Sequence, residues 1–217
     1  MTIGPLRAAV IDLDGTLVDT LDDFVAALGA MLAGFGHPTV DRAFVERTVG
    51  RGSAHLVRGT LAHVGAAPDL FEAAMASYQH HYRAVNGQHA TVFPGVVEGL
   101  EHLTSRGLRL ACLTNKPTAF ALALLQSKAL AGYFGFVFGG DAFERSKPDP
   151  LPLLKTCAAL GTVPAATLMI GDSVNDARAA RAAGCPVVLV SYGYNHGQAV
   201  GEIGADAVVD RLDAIRW

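Results

Sequence analysis

The chain lacks the features that mark a membrane protein, a nucleic-acid binder or a secreted disulfide scaffold. Only 17% of its 217 residues are charged, and the net charge of −3 leaves no basic field for nucleic acid or an anionic membrane. No apolar run reaches the roughly 20 residues that span a bilayer. The N-terminus does not show the charged, apolar and small-residue order of a secretory signal. Cysteine is scarce: Cys112, Cys157 and Cys185 stand in apolar surroundings without metal-ligand spacing. An odd count with no signal segment points to reduced, buried thiols and a cytoplasmic protein. The histidines, including His80-His81, match no metal motif. There is no internal repeat and no low-complexity tract.

What is present is a 51% hydrophobic chain, long enough for one domain or a core with a modest insertion. The run Ala8-Ala9-Val10-Ile11 is apolar on both faces, as in a buried parallel strand. The strand is expected over 6–13. Two acids, Asp12 and Asp14, follow at its carboxyl end, and Gly15 breaks it. Open α/β sheets bind their ligands at such ends. Two carboxylates this close repel unless a cation or a shared proton intervenes.

From Thr20 to about Asn86 the pattern is helical. Leu21, Phe24, Val25, Leu28, Met31 and Leu32 recur at helical spacing, and further helices are expected over 41–48, 53–64 and 68–84. No strand pattern interrupts this block, which reads as a helical bundle inserted after the first strand. After Phe93-Pro94-Gly95, strand-like runs at 108–113, 136–138, 167–170, 186–190 and 207–209 alternate with helical ones. Alternation of this kind implies a doubly wound parallel sheet with right-handed crossovers. The expected architecture is therefore α/β, a Rossmann-like core (1–19 and 87–217) with a helical insertion (20–86). Thr114, Asn115, Lys147 and Asp172 all fall at or just beyond the end of a strand, as Asp12 and Asp14 do. Taken singly each has an ordinary explanation. Thr-Asn is a turn signal, a lysine before proline is a loop residue, and Asp172 or Asp176 would cap the following helix.

Together they resemble a known set. Asp12-Leu13-Asp14-Gly15-Thr16 is similar to the first motif of the haloacid dehalogenase superfamily in its phosphatase form. Leu113-Thr114-Asn115, Lys147 in Ser146-Lys147-Pro148, and Gly171-Asp172-Ser173-Val174-Asn175-Asp176 resemble the second, third and fourth, in order. The resemblance implies a Mg²⁺-dependent phosphomonoesterase acting through an aspartyl-phosphate, with the helical block as a cap over the site. Asp12 would be the nucleophile and Asp14 the general acid–base. The metal would be held by Asp12, Asp172 and the backbone carbonyl of Asp14. Thr114 would bind phosphoryl oxygens through its hydroxyl, and Thr114 and Asn115 through their N–H groups. Lys147 would neutralise nucleophile and phosphate, and Asp176 would orient the metal shell or Lys147.

Thr114-Asn115-Lys116 and Val190-Ser191-Tyr192-Gly193-Tyr194-Asn195 resemble the phosphoglycolate phosphatase group, which implies 2-phosphoglycolate as the substrate. The turn Val49-Gly50-Arg51-Gly52-Ser53 resembles the family's specificity loop, and Arg51 is its candidate for a substrate carboxylate; a solvated loop arginine is the competing reading. An acid at Asp14 argues against halide-releasing members, and a cap without lysine against Schiff-base phosphonate hydrolases. Sugar phosphomutases, phosphatases of other small esters and, more distantly, receiver-like signalling modules share parts of the pattern. The partner is a small phosphate ester, and the chain is expected to be a monomer or homodimer.

Overall fold

The computed structural model describes residues 5–195 and 200–216. Six parallel strands form the main sheet: β1 (Ala8–Ile11), β4 (Arg109–Leu113), β5 (Phe136–Phe138), β6 (Thr167–Gly171), β7 (Val187–Val190) and β8 (Ala207–Val209). The order across the sheet is β5-β4-β1-β6-β7-β8. The chain builds outward on one side of β1 through β4 and β5, then crosses back to start β6 on the other side. That reversal creates a crevice at the carboxyl ends of β4, β1 and β6, where a doubly wound sheet accepts a ligand. The order decides the site, because it makes neighbours of the residues following three strands that are far apart in sequence.

β1 is fully buried, Ala8 paired with Arg109 and Thr167 and Ile11 with Cys112 and Ile170. The strand is shorter than the sequence pattern suggests. It ends at Ile11, so Asp12 and Asp14 lie in the turn beyond it. The helices α5 (Val96–Ser105), α6 (Thr118–Ser127), α7 (Leu151–Ala159) and α8 (Val174–Ala183) carry the crossovers. Two apolar clusters cover the faces of the sheet, one including Ile11, Leu100, Leu124 and Leu168, the other Val10, Leu153, Met169 and Ala177.

Four helices follow β1: α1 (Leu21–Gly34), α2 (Arg42–Thr48), α3 (Ser53–His63) and α4 (Phe71–Val85). The expected start of the last, at 68, is a 3₁₀ turn, Pro68–Leu70, that leads into α4. Five of the six apolar residues that define the helical period of α1 are buried, and Val25 is half-buried. They pack with Val45, Leu61, Tyr78 and Tyr82 into a cluster of their own. Two short strands absent from the sequence reading, β2 (Val18–Asp19) and β3 (Thr91–Val92), pair antiparallel where the chain leaves and re-enters the main fold. Asp23, fully buried, ties the same connection by accepting the N–H groups of Gly87 at 2.6 Å and His89 at 2.8 Å.

Candidate active site

The crevice is built from three strand ends and one loop. Asp12 follows β1, Thr114 follows β4 and Asp172 follows β6. Lys147 arrives on the long loop after β5, and Asn115 holds that loop in place. Its amide donates to the Lys147 carbonyl at 2.8 Å, and its Oδ1 accepts the Lys147 N–H at 3.0 Å. The helical block faces the same space through Phe24, Gly50, Ser53, Tyr78 and Tyr82. The cleft between them encloses about 610 Å³, its open mouth included.

Lys147 is the electrostatic hinge of the site. Its ammonium, 2% exposed, lies 3.0 Å from Asp12 Oδ1 and 2.6 Å from Asp176 Oδ1. Burial opposes its charge, but Asp12 and Asp176 outweigh that and raise its pKa above the ordinary lysine value. Asp176 is fully committed. Its other oxygen accepts from Ser173 Oγ at 2.8 Å and from the N–H groups of Ser173 and Asp172. The bond from the Ser173 N–H is one half of a capping box at the start of α8, in which the Ser173 side chain accepts from the Asp176 N–H in return. Asp176 thus caps α8 and also anchors Lys147.

Asp12 is pushed up to about 7, chiefly by burial, against the lowering effect of Lys147. Asp172 is driven well above the usual carboxylate range by burial first, then by Asp176 and Asp12. Carboxylate oxygens of Asp12, Asp172 and Asp176 lie within 4.8 Å of one another. The carboxylate of Asp14 is not part of this cluster. With Asp176 occupied by Lys147, half-buried Asp12 and buried Asp172 remain short of positive charge. Their hard oxygen donors fit a small divalent cation such as Mg²⁺.

Asp172 is fixed from two sides, Oδ1 accepting from Thr16 Oγ1 at 3.1 Å and Oδ2 from the Tyr194 N–H at 2.6 Å. The Tyr192-Gly193-Tyr194 loop reaches it only because Gly193 and Gly15 carry no side chain. A Cβ on Gly193 would stand 2.2 Å from Asp172 Cβ and 2.4 Å from the Gly15 carbonyl oxygen. Gly15 itself has φ +84°. The tyrosines clamp the connection to the helical block: Tyr192 donates to the Thr16 carbonyl, and Tyr194 Oη donates to Asp19 and accepts the Thr20 N–H.

Two expectations change. The Thr114 N–H is not free for phosphate, since it donates to the Phe138 carbonyl at 3.0 Å and extends the β4–β5 pairing. The Asn115 side chain is likewise spent on the Lys147 loop and on the Gly50 carbonyl, at 2.9 Å. What this pair offers a ligand is the Thr114 hydroxyl and the Asn115 N–H. Arg51 is exposed and outside the lining of the cleft, so its turn contributes backbone there, with Gly50 held by Asn115 and Asn175. The start of α6 is capped by Asp141, 2.8 Å from the Thr118 N–H.

One site cation escaped the sequence reading. Lys116 is buried and places its ammonium 2.7 Å from Asp14 Oδ1, which also accepts from Thr20 Oγ1 at 2.8 Å. The two acids of the opening motif therefore each have their own lysine. The available signal was that Lys116 is the first lysine in the chain, directly beside the Thr114-Asn115 pair.

Fold and site together define a hydrolase of the doubly wound α/β type with a carboxylate–lysine centre that faces a helical block. The chain belongs to the haloacid dehalogenase-like hydrolases, whose family model matches residues 6–184. It is 46% identical over 211 residues to a phosphoglycolate phosphatase of Thiobacillus denitrificans, covering 96% of this chain and 93% of that protein. It is 44% identical over 212 residues to one of Cupriavidus necator, covering 97% and 92%. A crystal structure of a predicted phosphoglycolate phosphatase from Haemophilus somnus superposes with a TM-score of 0.92 at 29% identity, covering 96% of this chain and 95% of that one.

Proposed function

We propose that the protein is a Mg²⁺-dependent phosphomonoesterase that hydrolyses 2-phosphoglycolate to glycolate and phosphate through an aspartyl-phosphate on Asp12. The observation that carries the reading is the convergence of Asp12, Asp172 and Lys147 around one buried point, beside an independent acid, Asp14. The 2-phosphoglycolate assignment draws on the similarity to phosphoglycolate phosphatases over almost the whole chain.

In this reading an oxygen of Asp12 attacks phosphorus in line as the bond to the leaving oxygen breaks. Asp14 gives that oxygen a proton, then takes one from the water that attacks phosphorus and releases phosphate from Asp12. Such acid–base assistance contributes about 10²–10⁴-fold. Lys147 holds the nucleophile and offsets phosphoryl charge, while the Thr114 hydroxyl and the Asn115 N–H bind phosphoryl oxygens. Asp12, Asp172 and the Asp14 carbonyl would hold the Mg²⁺, which supplies the positive charge that lets one anion approach another. Asp176 positions Lys147. Residues 1–19 and 87–217 act as the catalytic core and 20–86 as the cap. The limits of the core take in residues 1–4, 196–199 and 217, which lie outside the described residues. A cytoplasmic location is in keeping with three unpaired thiols.

The test is Asp12→Asn, assayed for phosphate release from 2-phosphoglycolate with Mg²⁺. Turnover is expected to vanish while the thermal transition is retained, because asparagine keeps the shape of the side chain and removes the nucleophile. Residual turnover near the wild-type rate would refute the assignment. A phosphomutase would instead interconvert sugar phosphates with little net release.

A further inference from the structure

The cleft contains a second group of side chains that the phosphoryl chemistry leaves unused. Lys116 lies under the helical cap, its Nζ 4.5 Å from the Phe24 ring centroid and 5.0 Å from that of Tyr82. Tyr78 stacks on Tyr82 at 5.5 Å. Both tyrosines are at most 1% exposed, both line the cleft, and neither hydroxyl has a hydrogen-bond partner among the described residues. Ser53 lies close enough to bear on the Tyr78 hydroxyl without bonding to it. Buried hydroxyls without partners are costly, and phenylalanine would fill the same space at no such cost. Their hydroxyls are donors waiting for an acceptor. The ammonium of Lys116 has three donors, and among the described residues only one is engaged by a side-chain acceptor, the one directed to Asp14.

We propose that Lys116, Tyr78 and Tyr82 form the subsite for the carboxylate of the substrate, in place of Arg51. This rests on the reading that the substrate is a phosphate ester bearing a carboxylate, and it adds the residues that select it. Covalent geometry ties the two halves of the cleft together. Asp14 must reach the leaving oxygen to protonate it. In a two-carbon ester the carboxyl carbon is two bonds from that oxygen, about 2.5 Å away at roughly 1.5 Å per bond. A carboxylate so short-tethered falls beside Asp14, and Lys116 is 2.7 Å from Asp14. The lysine can donate to both carboxylates at once, which brings the acid–base group and the substrate tail to one cation. Phe24, Tyr78 and Tyr82 come from the cap and Lys116 from the core. The subsite is complete only when the two are together, as they are with Gly50 bonded to Asn115 and Asn175. An ester lacking the carboxylate would leave the lysine and both hydroxyls without their acceptor, the arrangement by which polar sites reject analogues.

The experiment compares 2-phosphoglycolate with ethyl phosphate, which has the same skeleton without the carboxylate, in wild type, Lys116→Met and the Tyr78→Phe/Tyr82→Phe double variant. The readout is the ratio of kcat/KM for the two esters. In Lys116→Met the ratio is expected to fall by roughly 10²-fold, and in the double variant several-fold, mainly through KM. If Lys116→Met loses the same factor on both esters, the lysine acts only through Asp14 and the subsite is overturned, while the phosphoglycolate reading stands. If the wild type does not turn over 2-phosphoglycolate, the substrate reading fails and the subsite falls with it. If Lys116→Met does not fold, the tyrosine variant decides: a lowered ratio supports the subsite and an unchanged one overturns it.

Discussion

Replacing Lys147 with methionine should separate what holds the site together from what it does. The ammonium is 2% exposed and neutralises Asp12 and Asp176 simultaneously, at 3.0 and 2.6 Å. Methionine keeps most of the stem's volume and removes the charge, so packing changes little. What remains is Asp176, fully buried, with three donors on one oxygen and none on the other. Breaking a buried pair from one side costs about 3–5 kcal/mol, because an uncompensated charge is left in the interior. For a chain of this size that corresponds to a fall in Tm of roughly 6–20 °C. Adding Asp176→Asn removes the orphaned charge, and the double variant should regain at least about 1–2 kcal/mol over Lys147→Met alone. Urea unfolding of the two single variants and the double, without metal, measures this coupling. Phosphatase activity should be lost in Lys147→Met and should not return in the double variant, since stability is restored but the cation is not. A Lys147→Met protein within about 1 kcal/mol of wild type, the range of an exposed pair, would refute the reasoning. So would a double variant no more stable than the single.

Two further outcomes follow from the geometry. Asp12 is raised from 3.8 to about 7 in the metal-free fold, so the folded state favours the protonated form. The metal-free protein should therefore lose stability as pH rises from about 4 to about 7, and Mg²⁺ should bind more tightly across that same window because it competes with the proton. Thermal shift on adding Mg²⁺, measured at pH 5 and pH 8, should be larger at pH 8; an equal shift would contradict the shared use of Asp12. Gly193→Ala forces a methyl into Asp172 Cβ and the Gly15 carbonyl. Neither can swing away, so the Tyr194 loop or Asp172 must move. Mg²⁺ affinity, read by calorimetry, should fall at least tenfold in that variant, with unchanged affinity the result that counts against it.

Much of this molecule was legible in its residues because the signals are local. Strand ends were marked by apolar runs meeting Asp12, Thr114 and Asp172, and α1 by its helical period. The ribbon of β2 and β3 was not legible, since two residues per strand carry no period and the pairing joins Val18 to Val92. The role of Asp23 was not legible either, since its partners, Gly87 and His89, are remote in sequence. The Thr114 N–H was expected to face phosphate, but the register of β4 against β5 had already used it.

From the sequence alone came the class of fold, the residues Asp12, Asp14, Lys147 and Asp172, and the chemistry their types permit. Only the tertiary structure decided which charge meets which. It gave Asp14 its partner 102 residues away in Lys116, left Arg51 in solvent, and aimed at the cleft two tyrosines whose hydroxyls have no partner among the described residues. The reason is that electrostatic interaction depends on separation and burial in space. Neither is written in the order of the residues until strand order and helix packing bring distant segments together.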